Sequence, residues 1–332
     1  MKTALLFGLA LTLGYSPPTT SCPTCDWHNF EPHPADHESP LREFTTEAFY
    51  IDAHPVSVSD FASFARSNPA YVPTATSFND SFVFAPLARQ QNSCVDLDAR
   101  HDAVNWWSLV QGVSWNVPFG PPCAASDAGK ELYPAALADH PVTHVSVYDA
   151  EEFCKWRSPF DEAALPETAG THETRLPSEG EWETAARGGK KNRVYAWGNK
   201  ELGADGAYRA NYFQGDFPLA NSEADGHAGT SPRGAFPPQN GYGLYDMLGN
   251  AWEWTRTPWR EGGKYDDRES YDLLSPSDRE LHQISAPDYA KKGGSYLCEL
   301  GYCYRYRSGA RSFNTVDTTA GNLGFRCARA KK

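Results

Sequence analysis

The sequence predicts a single α+β domain that is rich in loops. Three helix patterns lie in the first 190 residues, whereas helical periodicity fades in the remainder of the chain. There Gly, Asn, Pro and aromatic residues recur in short segments separated by turn signals, which is typical of short strands joined by loops. No Pro-rich, Ser/Gly-rich or single-sign linker follows residue 43, so one large domain is expected over residues 43–330.

The first 42 residues are predicted to lie outside that domain. Residues 1–21 are interpreted as a signal peptide, because Lys2 precedes an apolar segment, Ala4–Leu13, that is too short to span a bilayer. A buried N-terminal strand is the alternative. Residues 22–42 are rich in Pro, His and Asp and have no periodic pattern, so they are expected to form a flexible tail, which contains Cys22 and Cys25.

The predicted signal peptide sets the expected compartment. No later segment is apolar over a length that could cross a membrane, so no membrane span is predicted. We expect a protein of the secretory pathway, located in the endoplasmic reticulum lumen or secreted. Asn79-Asp80-Ser81 is an acceptor sequence for N-glycosylation in that compartment, with an unmodified loop asparagine as the alternative.

A strand and two helices are predicted in the first half of the domain. Aromatic and alternating residues from Phe44 to Ile51 indicate a strand, and the apolar spacing in Val58–Arg66 indicates a short helix. The next helix is predicted over Ser146–Arg157. Its apolar face includes Cys154, which should therefore point toward the core.

The third helix has its own start and stop signals. Ser178 and Glu181 form a capping box, in which each side chain can bond the backbone N–H of the other residue. Gly188 can adopt the positive φ that ends a helix. Residues 157–174 and 260–290 are polar and irregular and are predicted to be surface insertions.

The charge balance argues against nucleic acid as a partner. The chain has a formal net charge of −12, whereas binding of phosphates requires clustered Lys and Arg. An acidic protein of this kind suits a cationic peptide instead.

Two cysteines stand five residues apart in the glycine-led, aromatic segment Gly293–Arg307. Cys298 and Cys303 can close a small disulfide, or they can act as a pair of soft thiolate ligands. Such ligands favour Cu(I), zinc or iron–sulfur clusters over ions that prefer oxygen. The spacing alone leaves both interpretations open.

Four ordered segments resemble the sulfatase-modifying-factor family: Arg175–Glu183, Gly241–Met247, Gly249–Thr255 and Asn322–Cys327. The resemblance extends over most of the chain, from about Phe44 to Ala328. It implies a loop-rich α+β domain that is distantly related to C-type lectins.

Within that family, Gly293–Arg307 resembles the catalytic segment of the formylglycine-generating members. The resemblance implies an O₂-dependent oxidase that converts a cysteine in Cys-x-Pro-x-Arg segments of nascent or unfolded sulfatases into Cα-formylglycine. A thiol reductant and a monomeric enzyme are expected. Cys298 and Cys303 would hold Cu(I), and Ser295 and Tyr302, which flank them, would position substrate or oxygen.

The resemblance also implies a structural disulfide between Cys154 and Cys327. Cys94 and Cys123 are predicted to form an additional bridge. In the tail, the family often carries a close cysteine pair suited to thiol exchange, with a disulfide of no further role as the alternative.

Two structural calcium ions are implied as well. One implied ligand set is Asn211, Tyr212, Asp225 and His227. The other is Asn250, Ala251, Glu253 and Thr255. Both sets mix carboxylate, amide and carbonyl oxygens, as calcium prefers, although Asn and Asp residues of this kind are also common turn formers.

Two features depart from the family pattern. The family domain usually begins with a Met-x-x-Ile-Pro-Gly-Gly strand, which this sequence lacks, so the edge of the sheet should be built differently. Glu299 stands directly after the first cysteine of the pair, where relatives often carry a basic or polar residue.

A cluster of aromatic residues has two interpretations. Most members are expected to pack in the core, while a minority would wall a groove for an extended peptide, with acidic residues receiving the substrate arginine. The cluster comprises Trp106, Trp107, Trp252, Trp254 and Tyr302.

Two other functions are alternatives to the oxidase. One is a non-catalytic, lectin-like protein that binds sulfatases or peptides and in which Cys298–Cys303 is a structural disulfide. The other is an iron-dependent sulfoxide synthase. The latter is disfavoured because the ten histidines are scattered and no His-x-x-x-His pair lies on a helix face.

Overall fold

The computed structural model of the protein describes residues 3–6, 10–13, 42–91, 106–121, 135–164, 174–259 and 287–330. These residues contain five helices: α1 Val58–Ser67, α2 Thr74–Phe78, α3 Ala85–Gln91, α4 Val147–Ala164 and α5 Glu179–Arg187. The strands are short: β1 Thr3–Leu6, β2 Ala10–Leu13, β3 Arg42–Thr45, β4 Phe49–Asp52, β5 Asp80–Phe84, β6 Trp107–Gln111, β7 Gly215–Asp216, β8 Ala220–Asn221, β9 Trp252–Pro258, β10 Asp288–Lys292, β11 Ser312–Thr315, β12 Leu323–Gly324 and β13 Ala328–Ala330.

Two small sheets organise the described part of the chain. The larger has the strand order β11-β10-β9-β12, in which β10 runs antiparallel to both neighbours and β12 runs parallel to β9. The other has the order β1-β4-β13, with antiparallel pairs throughout. Short strands, few helices and long connections confirm the predicted loop-rich α+β class.

The N-terminal segment contributes two strands. Thr3–Leu6 pairs with β4 and Ala10–Leu13 pairs with β3, both antiparallel. The edge of the β4 sheet is therefore occupied by residues that the sequence assigned to a signal peptide. The signal peptide itself stays a prediction.

The two helices that were predicted from start signals or apolar spacing within a few residues, α5 and α1, are confirmed. α5 begins at a capping box in which Glu181 N donates to Ser178 Oγ (3.2 Å) and Ser178 N donates to Glu181 Oε2 (2.8 Å). It ends at Gly188, whose φ is 56°. α1 covers the predicted helix and also begins at a capping box, formed by Ser57 and Asp60.

Two predicted surface insertions were partly wrong. α4 continues past Arg157 to Ala164, because Arg157 bonds Asp161 one turn later (2.9 Å) and Asp52 of β4 (2.6 and 3.0 Å). Those ion pairs anchor a helical end whose residues Pro159, Phe160 and Ala163 stay exposed, so the segment is helical but lies at the surface as predicted. Likewise, Asp288–Lys292 is an inner strand of the larger sheet, since it has a hydrogen-bonded partner on each side. Residues 165–173 and 260–286 lie outside the described residues.

One hydrophobic core joins α1, α4 and α5 to both sheets. Its fully buried members include Phe61, Phe153, Trp182, Trp254 and Phe325. The disulfide implied by the resemblance is present: Cys154 on α4 is bonded to Cys327, with their Cα atoms 5.8 Å apart. Cys154 thus points into the core, as its helix face predicted.

Candidate active site

Two glycines lead from β10 into the segment that carries the cysteine pair. Gly293 has a φ of 95° and Gly294 a φ of 72°, a region that side chains with a Cβ rarely adopt. A Cβ on Gly293 would lie 2.6 Å from Met247 O, and one on Gly294 would lie 2.9 Å from Tyr306 N. The close backbone approach therefore requires glycine at both positions.

The loop between the cysteines is held by its own backbone and by Glu299. Cys303 N donates to the carbonyl of Glu299 (2.8 Å), and the Glu299 carboxylate accepts from the N–H groups of Gly301 (2.8 Å) and Tyr302 (3.0 Å). Glu299, which departs from the family pattern, therefore acts as a cap for this turn. Its carboxylate is used within the loop.

The two cysteine sulfurs are bonded to each other and lie at the floor of a cleft. Their Cα atoms are 4.6 Å apart, and the residues are 1% and 8% exposed for Cys298 and Cys303 respectively. Both line a cleft of about 740 Å³. The pair is thus largely buried but faces a space large enough for a peptide side chain and a small molecule.

Ser295 and Tyr302, predicted to assist the cysteines, both line this cleft. Ser295 N donates to Cys298 Sγ (3.4 Å), while Ser295 Oγ accepts from Asn322 Nδ2 (3.0 Å) and from Leu297 N (3.3 Å). Because its oxygen accepts twice, the hydroxyl keeps its own proton for a group in the cleft. Tyr302 is 48% exposed, and its ring stacks on Phe217 with centroids 4.2 Å apart.

The aromatic cluster divides between core and cleft. Trp254 is completely buried and donates to Val145 O (3.0 Å), as expected of a core residue. Trp107, Trp252 and Tyr302 line the cleft instead. Among the described residues that line it, none is acidic, so the cleft does not contain the acidic residues that were predicted to receive an arginine.

The sequence predicted no role for the four charged or amide residues that line the cleft: Lys291, Arg305, Asn314 and Asn322. Lys291 and Arg305 lie close to the cysteine pair in sequence, so proximity was the one available signal. Asn314 reaches the cleft only through the pairing of β11 with β10. Asn322 belongs to one of the segments that carry the resemblance, but its bond to Ser295 is visible only in the structure.

The cysteine pair fits the Cu(I) site that the resemblance implies. Both sulfurs come from one short turn and face the same cleft, so reduction would present two thiolates to a single ion. Two soft ligands at low coordination number suit Cu(I). Within the described ranges no group of three or more His, Cys, Asp or Glu side chains is placed to hold a metal, so the sulfur pair is the soft site available.

The first calcium set is brought together and fits a hard cation. Asn211 Oδ1 is buried without a hydrogen-bond partner. Asp225 accepts from the backbone N–H of Tyr212, the residue after Asn211, at Oδ2 (3.1 Å) and from that of His227 at Oδ1 (3.0 Å). The Gln214 amide donates to Asp225 Oδ2 (2.9 Å) and to the carbonyl of Tyr212. An orphan amide oxygen, a carboxylate and adjacent carbonyls are donors that calcium accepts.

The second calcium set does not fit an ion in this arrangement. Glu253 is occupied by Arg326, with N–O distances of 2.6 and 2.7 Å, and by Trp182 Nε1 at 2.6 Å. Thr255 Oγ1 donates to Ala290 O (2.8 Å). Asn250 Oδ1 accepts from Ser231 N (2.8 Å). These side chains hold β9 in place instead.

Other predicted sites are exposed, buried or outside the described residues. Asn79 is exposed at the left-handed end of α2, whereas Ser81 is buried against His144, so glycosylation stays a prediction. The cysteines at 22, 25, 94 and 123 lie outside the described residues. No helix in the described ranges is both long and apolar enough to span a membrane.

The loop-rich α+β fold and the cysteine loop define a class of protein, and comparison with known proteins shows which family this is. Residues 25–331 match the Sulfatase-modifying factor enzyme 1-like domain, and the chain belongs to that family. It is 43% identical to the formylglycine-generating enzyme of Bos taurus over 293 residues, which are 88% of this chain and 68% of that protein.

The family also contains proteins named as inactive. The chain is 38% identical to the inactive C-alpha-formylglycine-generating enzyme 2 of Mus musculus, over 90% of this chain and 80% of that protein. Among solved structures, PvdO from Pseudomonas aeruginosa superposes with a TM-score of 0.58 at 21% identity, covering 99% of this chain and 94% of that one. That likeness shows a shared fold.

Proposed function

We propose that this protein is an O₂-dependent oxidase that converts a cysteine in Cys-x-Pro-x-Arg segments of sulfatases into Cα-formylglycine. The observation that carries the proposal is the pair Cys298 and Cys303 at the floor of an aromatic-walled cleft. Its support is the 43% identity with a relative named formylglycine-generating enzyme. The substrate would be nascent or unfolded sulfatase, and the enzyme would act as a monomer.

The net reaction requires a reductant in addition to oxygen. One peptide thiol, one O₂ and two molecules of an external thiol give the aldehyde, hydrogen sulfide, a disulfide and one water. Oxygen takes two electrons from the substrate Cβ–S unit and two from the external thiols. The oxidised pair Cys298–Cys303 would have to be reduced before it could bind a metal, and the same thiols can do so.

Cys298 and Cys303 would hold Cu(I), which would supply the one-electron chemistry that O₂ requires. The protein's own residues bind and orient the reactants. Ser295, fixed by Asn322, would offer its hydroxyl proton to the substrate sulfur or to oxygen. Tyr302, stacked on Phe217, would close one wall of the cleft over the substrate.

The peptide would lie extended along the aromatic wall, where apolar rings remove water from the reacting thiol. A structural calcium ion would bind at Asn211, Tyr212, Asp225 and His227 and tie that loop to the segment around Asn250, whose backbone N–H donates to Asn211 O (2.7 Å). The backbone carbonyl of Asn250 accepts from Tyr296 N (2.9 Å). The ion would therefore stabilise the segment that leads into the cysteine loop.

We place the protein in the secretory pathway, in the endoplasmic reticulum lumen or secreted. The bonded Cys154–Cys327 pair supports this location, because structural disulfides persist in oxidising compartments.

The second candidate is a non-catalytic binder of sulfatases. Two observations favour it: Cys298 and Cys303 are bonded in the structure, and a relative named as inactive is 38% identical. In that case the cleft would bind peptide without chemistry.

One assay separates the two candidates. Reduced, Cu(I)-loaded protein is incubated in air with a Cys-x-Pro-x-Arg peptide and an excess thiol, and the peptide is followed by mass spectrometry. We expect aldehyde from the wild type and a loss of at least about 100-fold for Cys298→Ser and Cys303→Ser, since each removes a ligand. Cys154→Ser, which removes the Cys154–Cys327 disulfide and leaves the cysteine pair of the cleft intact, is the matched control and should retain activity below its melting temperature. No aldehyde from the wild type would reject the oxidase, and undiminished product from the loop variants would reject Cys298 and Cys303 as its catalytic pair.

A further inference from the structure

Lys291 places an amine in the cleft that no role described above uses. It lies in β10 between β9 and β11, with Nζ 5.0 Å from the centroid of the Trp252 ring. Nζ also donates to Asn314 Oδ1 on β11. Both neighbours are uncharged, and Lys291 makes no ion pair with any residue that the structure describes.

The carboxylates that pair with Lys292 and Arg326 lie on the other face of the sheet. Lys292, the next residue, points away from the cleft and pairs with Glu183 (3.0 Å) and Glu179 (3.5 Å). Glu253 of β9 pairs with Arg326. Because side chains alternate along a strand, these acids satisfy Lys292 and Arg326 and leave Lys291 on the cleft side.

The charged residue that acts on Lys291 is Arg305, which lines the same cleft. No residue of β9 or β11 adds a charge on this side, since the residues of these strands that line the cleft are Trp252, Ser312, Asn314 and Thr315. Burial and the repulsion of Arg305 lower the pKa of Lys291 to about 7. An amine in this range can both hold and release a proton near neutral pH.

We propose that Lys291 is the proton donor to dioxygen as oxygen is reduced in the cleft. This role rests on the proposed function. Complete reduction of O₂ to water consumes four electrons and four protons, the electrons coming from the substrate and the external thiol. In the step assigned here, an Nζ–H bond breaks and an O–H bond forms, while the electron pair stays on nitrogen. The neutral amine then takes a proton from water at the open side of the cleft.

Two variants separate this role from a purely electrostatic or structural one. Lys291→Met keeps the apolar stem against Trp252 but removes the proton. Lys291→Arg keeps the positive charge, but its guanidinium does not release a proton near neutral pH. At pH 7 we expect kcat to fall by roughly 100-fold or more in both variants, the usual contribution of a general acid, with an unchanged KM for the peptide.

The pH profile supplies the diagnostic readout. The wild-type kcat should fall as the pH rises through the pKa of Lys291, because the acid form is then lost. This limb should be absent from both variants. A fully active Lys291→Arg, or a limb that persists in Lys291→Met, would overturn the role while leaving the oxidase intact. A wild type that makes no aldehyde would reject both.

A further readout needs no metal and no turnover. Metal-free wild type is labelled with acetic anhydride across a pH series, and acetylation is quantified by peptide mapping, with the exposed Lys200 as the internal reference. We expect the Lys291 amine to gain reactivity with a midpoint near neutral pH. A midpoint close to 10.4, the ordinary value for lysine, would rule out Lys291 as a donor.

Discussion

A buried histidine shows how a single residue can make stability depend on pH. His144 is 1% exposed, and its Nδ1 lies 2.8 Å from Ser81 Oγ. The carbonyl of Pro118 is its other hydrogen-bond partner. With one nitrogen donating to a carbonyl, the other accepts from the serine, so the ring is satisfied as the neutral form.

Acid should therefore destabilise the protein through His144. Burial lowers its pKa in the folded state to about 3, against about 6.5 when unfolded. Between those values the unfolded chain binds a proton that the folded chain does not, so stability falls as the pH falls. At pH 5 the loss is about 2 kcal/mol relative to pH 8.

The measurement is denaturant unfolding at both pH values for wild type and His144→Asn. Asparagine tolerates the positive φ of 60° at this position and does not titrate. The difference between pH 8 and pH 5 should be about 2 kcal/mol smaller in the variant. Equal losses in the two proteins would show that His144 is not the group responsible.

At the scale of elements, the sequence predicted what local signals determine. α1 and α5 were found because a capping box and an apolar stripe are both readable within a dozen residues. β10 was missed because Asp-Tyr-Ala-Lys-Lys has no alternation, and its pairing depends on strands distant in sequence. The end of α4 was missed because Asp52, its partner, lies 105 residues away.

In the candidate site too, features set by neighbouring residues could be predicted, whereas features set by contacts distant in sequence could not. The cysteine pair, Ser295 and Tyr302 share one segment, so a motif sufficed to place them together. The second calcium set was also contiguous, but its carboxylate is occupied by Arg326, 73 residues later in the chain. Contacts across the fold decide which of two chemically reasonable partners a side chain takes.

The disulfide between α4 and the segment before β13 should be a large element-level contribution. Cys154 and Cys327 are 173 residues apart in sequence, and in the chain-entropy model a loop of that length stabilises the folded state by roughly 5 kcal/mol. We expect Cys154→Ser to lower the free energy of unfolding by about 2–5 kcal/mol, measured by denaturant titration without reductant.

The double variant Cys154→Ser/Cys327→Ser provides the control for a free thiol. Its loss should equal that of the single variant, because the bond is already absent there. A loss below about 1 kcal/mol would show that core packing around α4, and not the covalent link, holds this segment.

At the scale of the whole molecule, the net charge of the chain and the charge of the described cleft have opposite signs. The chain carries a formal net charge of −12, yet the charged residues that line the described cleft are Lys291 and Arg305. The outer surface thus attracts a cationic peptide, while the cleft floor favours anions such as a thiolate. The negative charge of the chain would attract a basic substrate segment, and the positive charge of the cleft would attract its ionised sulfur.

Capture by the outer field should depend on salt. Screening shortens from about 30 Å at 0.01 M to about 3 Å at 1 M ionic strength, so long-range attraction is lost over that range. For a Cys-x-Pro-x-Arg peptide we expect kcat/KM to fall by about tenfold. In contrast, kcat at saturating peptide should change little, because salt screens charges inside the cleft much less than charges at the surface. A peptide extended with lysines should show a steeper dependence, and one extended with glutamates a flatter or inverted one. If all three peptides responded alike, salt would be acting on the protein's stability or on the metal site, and attraction by the acidic surface would not contribute to substrate capture.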